Sequence, residues 1–150
     1  MVKNGWHLYR HRLFAERLTE LEQSVAALAA RDPTGYKLHP QTKLLASVFR
    51  AINETVPADP AAQVFRLGHT LGDDRAHWRR VKKGMPQRYR LFFRFSSSPL
   101  PLIVYVWLND EDSLRKKGAR TDVYAQFRAM LERGEVPAGI EDLLRGSQSR

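Results

Sequence analysis

Apolar residues in the first third of the chain recur with a helical period. Phe14, Leu18, Leu21, Val25 and Leu28 are spaced by fours and threes, so they line one side of a helix, while Glu16, Glu20 and Glu22 fall off that stripe. Ahead of it, Gly5 to Tyr9 reads as a short first strand. Asp32-Pro33-Thr34-Gly35 breaks the helix. A second helix fits Thr42 to Glu54, with Leu44, Leu45, Val48, Phe49 and Ile52 turned inward. Pro57 and Pro60 end it, and a loop through Gly68 and Gly72 follows.

After Asp74 the period falls to two. The alternation predicts three strands of an antiparallel meander, Trp78 to Lys82, Arg88 to Phe95 and Leu102 to Leu108. Gly84-Met85-Pro86 and Ser96-Ser97-Ser98-Pro99 supply the turns. Helical spacing returns from Asp122 to Arg133 on Val123, Phe127, Met130 and Leu131, and a short last helix fits Pro137 to Leu144. Residues 146–150 read as a frayed tail. The expected fold is α+β, one domain over 1–150, with an antiparallel sheet of about four strands and helices packed on one face.

Composition narrows the class. At 150 residues the chain can bury a real core, and 43% hydrophobic with 27% charged residues excludes a disordered protein. With no cysteine, disulfides and thiolate metal sites are excluded. The opening residues carry no apolar leader and no stretch approaches a membrane span, so a cytoplasmic protein without a membrane partner is expected. The formal charge of +9 favours anionic partners. Its distribution says more: Arg75, Arg79, Arg80, Lys82, Lys83, Arg88, Arg90 and Arg94 follow one another with no acidic residue between Arg75 and Asn109.

The middle strand of the meander concentrates this charge. Alternation puts Tyr89, Leu91, Phe93 and Phe95 on a core face and Arg88, Arg90, Phe92 and Arg94 on the other. Guanidiniums at two-residue steps repel one another unless an anion sits among them. In the preceding strand, a buried Val81 sends Arg80 and Lys82 to the opposite side, so both strands would present cations on one open face. Elsewhere the chemistry is thinner. His7 and His11 straddle a strand-to-helix junction without a third ligand, and His69 and His77 read as loop residues, so neither a metal nor a cofactor is expected. Asn109-Asp110-Glu111-Asp112 reads as a turn leading into a short helix.

These motifs carry a resemblance. The GWxLY start, TKLLA, FRLGHTLG, WRRVK, RYRLFFRF, VWLNDEDSLR, KKGARTDVY and FRAML are similar to YhaV-type toxins of the RelE/ParE superfamily, over roughly residues 4–131. The resemblance implies an endoribonuclease toxin that needs no metal and cuts messenger RNA, in association with the ribosome. It also implies an antitoxin partner similar to PrlF, of the AbrB type, through which alone promoter DNA is bound. Carried over residue by residue, it implies catalytic roles for Arg80, Lys82, Arg90 and Tyr124. The remaining cations of the window, Arg79, Lys83, Arg88 and Arg94, and the late group Arg115, Lys116, Lys117 and Arg120 are candidates for RNA binding.

Cleavage of RNA without a metal needs a base for the 2′-hydroxyl proton, cations for the phosphorane and an acid for the leaving 5′-oxygen. Arg80 and Arg90 suit the phosphate, since guanidinium binds two oxygens at once. Lys82 and Tyr124 remain for proton transfer, with either order open. Two alternatives stand beside this reading: a non-enzymatic toxin similar to ParE, and a basic nucleic-acid-binding module.

Overall fold

The computed structural model describes residues 1–149, with Asp73 and Ser149 described by their backbone alone. The chain opens with β1 (Val2–Lys3) and β2 (Trp6–His11), joined by Asn4 and Gly5 at φ 50° and 83°. This is the positive-φ pair of a two-residue hairpin turn, and Asn-Gly is its favoured sequence. Helix α1 (Arg12–Arg31) follows directly. Its first orphan N–H groups are met by His11, whose Nδ1 accepts from Leu13 N–H at 3.3 Å. Helix α2 (Pro40–Arg50) starts the same way, with His39 Nδ1 accepting from Gln41 N–H and Pro40 at the first helical position. A wide turn at Ala51–Thr55 carries the helix on into α3 (Val56–Ala58), past Pro57, whose missing N–H is tolerated there.

The second half supplies β3 (Arg79–Val81), β4 (Leu91–Ser96), β5 (Leu102–Leu108), α4 (Val123–Glu132), α5 (Ile140–Arg145) and β6 (Ser147–Ser149). The strands form one six-stranded sheet in the order β1-β2-β5-β4-β3, with β6 also on β2. Pairing is antiparallel except between β2 and β5, where Tyr9 lies beside Val104 in a parallel ladder. The expected sheet of about four antiparallel strands is therefore corrected to a mixed six-stranded one. Two strands escaped notice because they are too short to show a period. The tail expected to fray supplies one of them: Ser147 and Gln148 pair with His11 and Arg10 through their backbones, with no apolar side chain to announce it. Arg150 lies outside the described residues.

Helices also cover both faces, not one. On the first, α1 and α2 bury Phe14, Leu18, Leu21, Leu44 and Val48 against Leu91, Phe93, Ile103 and Tyr105. On the second, α4 and α5 bury Val123, Phe127 and Leu143 against Phe92, Val104 and Val106. The reason is visible in β5, where all seven residues of LIVYVWL are apolar or aromatic and both faces demand cover. A bulge opposite Phe92 and Phe93 turns Val106 and Trp107 to the same side. There Phe92 stacks on Phe127 at 4.1 Å, and Trp107 stacks on Phe127 at 5.7 Å. Among the described residues no helix is long and apolar enough to cross a membrane.

Candidate active site

The second core ends at a polar cluster where α4 begins. Tyr124, one residue into α4, turns its ring edge-on to Phe92 at 5.8 Å and points its hydroxyl toward β3 and β4. The oxygen accepts the Nε–H of Arg80 at 3.1 Å and the Nε–H of Arg90 at 3.0 Å. Each guanidinium is pinned again by Nη1, that of Arg80 to the carbonyls of Val64 and Arg66, that of Arg90 to the carbonyl of Tyr89. Among the described residues Nη2 of neither arginine has an acceptor. A third guanidinium, that of Arg115, lies 4.8 Å from the centroid of the Tyr124 ring.

Two buried residues hold this arrangement. Asn109 is fully buried at the end of β5; its Oδ1 accepts the backbone N–H of Arg90 at 2.8 Å, and its Nδ2 donates to the carbonyls of Arg88 and Ser113. Arg88 stands at φ 74°, a conformation that costs a non-glycine residue about 1 kcal/mol or more. Its carbonyl also receives Arg115 N–H at 2.9 Å, so the strained residue joins the approach to β4 with the loop before α4. Asp122 caps α4 by accepting from the N–H groups of Tyr124 and Ala125, and it accepts Arg115 Nη1–H at 2.8 Å and Lys116 N–H at 2.6 Å. Burial alone would raise its pKa. The hydrogen bonds from Arg115 and the backbone, together with the guanidinium charge, outweigh that and hold the carboxyl below its usual range.

Of the residues expected to be catalytic, Arg80, Arg90 and Tyr124 meet on one oxygen. Lys82 does not join them: it lies one residue past β3, exposed, and its ammonium makes no hydrogen bond among the described residues. The open cationic face is corrected. Strand β4 begins at Leu91 and not at Arg88, Phe92 is completely buried, and Arg90 is 7% exposed because α4 lies over that side. Among the candidates for RNA binding, Arg115 enters the cluster, and Lys83, Arg88, Lys116, Lys117 and Arg120 are exposed. Arg79, the first residue of β3, and Arg94, in the middle of β4, lie elsewhere and on opposite faces of the sheet, the first against Phe95 and the second against Trp78. Asn109 and Asp122 were not foreseen as site residues. Asp122 had a readable signal, an Asp placed just before an apolar helical run; Asn109 had none.

Three guanidiniums gathered on one phenol against a single carboxylate leave an excess of positive charge, which is chemistry suited to an anion such as phosphate. Comparison with known proteins gives that class a family. Residues 8–148 match the sequence model of the YhaV toxins, described as a toxin with endonuclease activity, of a toxin-antitoxin system. The chain belongs to this family, as its motifs suggested. It is 44% identical over 141 residues to "Toxin YhaV" of Escherichia coli O6:H1, which covers 93% of this chain and 90% of the relative. It is 42% identical over 146 residues to "Ribonuclease toxin YhaV" of Escherichia coli (strain K12), covering 97% and 94%. No solved structure gives a significant match.

Proposed function

We propose that this endonuclease toxin is a metal-independent ribonuclease that cuts messenger RNA at the ribosome in the cytoplasm, using the substrate's own 2′-hydroxyl. An antitoxin similar to PrlF would hold it silent. The +9 charge and the name of a relative as a ribonuclease toxin support the substrate class. The observation that carries the chemistry is the shared Tyr124 oxygen.

A phenol oxygen has one proton to give and two lone pairs to receive with. In this site Arg80 and Arg90 occupy both lone pairs of the neutral phenol and would hold the charge of the phenolate it leaves, which suits Tyr124 to give a proton. Its own O–H is uncommitted. Tyr124 is therefore the acid, and Lys82, on the Arg80 side of its strand by alternation, is the group left to serve as base. The 2′-oxygen attacks phosphorus while its proton passes to the Lys82 side chain in its neutral amine form. The bond from phosphorus to the 5′-oxygen breaks, and that oxygen takes the Tyr124 proton. Nη2 of Arg80 and Arg90 meets the charge on the non-bridging oxygens as it develops.

The test is product chemistry. Purified toxin incubated with an oligoribonucleotide should leave a 2′,3′-cyclic or 3′-phosphate end on the 5′ fragment. A single 2′-deoxy substitution at the cut should abolish cleavage there. A 3′-hydroxyl end means attack by water and overturns the scheme.

A further inference from the structure

A cleft of about 300 Å³ lies between α2 and the turn that joins β3 to β4. Lys43, Ala46, Ser47 and Arg50 line it from the helix, and Gly84 lines it from the turn. Spacings of three, four and seven residues put the helical members on one face, with the two cations two turns apart, about 10 Å along the axis. Ala46 and Ser47 between them are short, so the floor of the cleft is low. Ser47 turns its hydroxyl back to the carbonyl of Lys43 at 2.9 Å. On the other wall, Met85 N–H closes the turn on the carbonyl of Lys82, with Gly84 at φ 85° as a tight turn requires. No carboxylate balances this charge. Helix α2 has no acidic residue, and among the described residues neither Lys43 nor Arg50 forms an ion pair. The nearby Glu111 is engaged by Gln41 at the start of the helix.

Two exposed cations that share one cleft without a counterion repel each other weakly, and both gain when an anion enters between them. We propose that this cleft is a second phosphate site, which holds the strand being cut at a phosphodiester away from the scissile one. This rests on the ribonuclease reading and adds a requirement to it, that a good substrate be long enough to reach both sites. The chain itself ties the two sites together. Gly84 follows Arg80 by four residues, which limits their Cα separation to about 14 Å. Lys82 and Lys83, both exposed, fill that interval with two further cations. A single strand covers such a span in a few nucleotides. An RNA backbone fits better than a protein segment, because the lining has two long donors and no apolar socket for a peptide anchor. Contacts of this kind fix the position of a strand without reading its bases, so the cleft adds affinity and length dependence and leaves sequence preference alone.

The experiment compares uncleavable 2′-O-methyl oligonucleotides of about 12 and about 4 nucleotides. Wild type should bind the long one more tightly. The double variant Lys43→Gln/Arg50→Gln should lose on the order of tenfold in affinity for it and lower the salt slope by about 1. Its binding of the short oligonucleotide, and its kcat on a short cleavable RNA, should stay unchanged. Glutamine suits an exposed helix position, so Tm should hold. Ala46→Glu guards further against a folding artefact. It sets a carboxylate four residues before Arg50 on the same face, which should hold or raise Tm while weakening long-RNA binding. Equal wild-type affinity for both lengths, or full affinity for the long one in both variants, overturns the second site. So does loss of antitoxin or ribosome binding with long-oligonucleotide affinity intact, which reassigns the cleft to a protein or to ribosomal RNA. A wild type that cuts no RNA at all overturns the ribonuclease reading itself, and the two failures are thereby told apart.

Discussion

The carboxylate of Asp122 holds the guanidinium of Arg115 at 2.8 Å, and the same carboxylate caps the helix that carries Tyr124. One buried group thereby fixes both the ring and the cation lying over it. Asp122→Asn keeps a capping oxygen but removes the charge. Its expected cost is about 1–3 kcal/mol of stability at neutral pH, with a fall in kcat larger than the change in KM. Because the folded carboxyl titrates below its unfolded value, its stabilisation is complete above about pH 4 and is lost as the pH falls through the folded value. Denaturant melts of wild type and variant should therefore differ at pH 7 and converge in strong acid. A constant difference would show that the charge is not what matters.

Tyr124→Phe removes the shared oxygen and leaves the packing against Phe92 intact. If the hydroxyl is the acid, kcat should fall by on the order of 100-fold or more. A substrate with sulfur in place of the leaving 5′-oxygen needs no protonation, and it should recover most of that loss. Failure of the sulfur substrate to recover activity would remove Tyr124 from the proton-transfer step.

Arg90→Ala should lower cleavage by on the order of 100- to 1000-fold, since one cation at the transition state is lost. Arg80→Lys should do nearly as much harm as Arg80→Ala. A lysine cannot bond the Tyr124 oxygen and the carbonyls of Val64 and Arg66 together while offering a further N–H to phosphate. Rates for the folded variants on one oligoribonucleotide decide the matter, and a fully active Arg80→Lys would contradict the need for a guanidinium here.

His11 links stability to pH in the same direction. Its Nδ1 caps α1 only while it lacks a proton, and burial, then the Arg12 charge, depress its pKa against the opposing pull of Glu16. A depressed histidine binds protons more readily when unfolded, so its contribution is complete above about pH 6.5 and declines as the pH falls toward the folded value. His11→Asn retains a capping oxygen without the titration. The slope of stability between pH 5 and 7 should flatten in that variant, and an unchanged slope would point to another group.

Cleavage of naked oligoribonucleotide should continue in excess EDTA, because the proposed mechanism gives the phosphate charge to Arg80 and Arg90. A requirement for magnesium, measured without ribosomes present, would contradict this mechanism.

How far the sequence alone reaches differs from one element to the next. Strand β5 is legible to its ends, since seven consecutive apolar residues between a Ser-Pro turn and an Asn-Asp turn leave few alternatives. Helix α1 is legible from its stripe, with Phe14, Leu18, Leu21 and Val25 all buried as expected. Alternation along β4 also correctly sides Arg90 and Phe92 together, but no local period reveals that α4, thirty residues later, will roof that side. Arg80, Arg90 and Tyr124 are brought together only by the tertiary fold, and motif resemblance was the one route to naming them beforehand. The clamp made by Asn109 could not be read, because an asparagine after a strand looks like any turn residue until its three partners are in place.

The placement of β2 has a consequence in time. It is made well before its partners on both edges, β5 and β6, which follow about 95 and 140 residues later. At about 5–20 residues per second, a nascent chain carries that strand without its main partners for several seconds or longer. Until β5 emerges the short hairpin with β1 is its only ladder, and loop closure over most of the chain makes the final pairing slow. Completion of the sheet therefore waits on segments made long after β2, and the meeting of Arg80, Arg90 and Tyr124 waits with it.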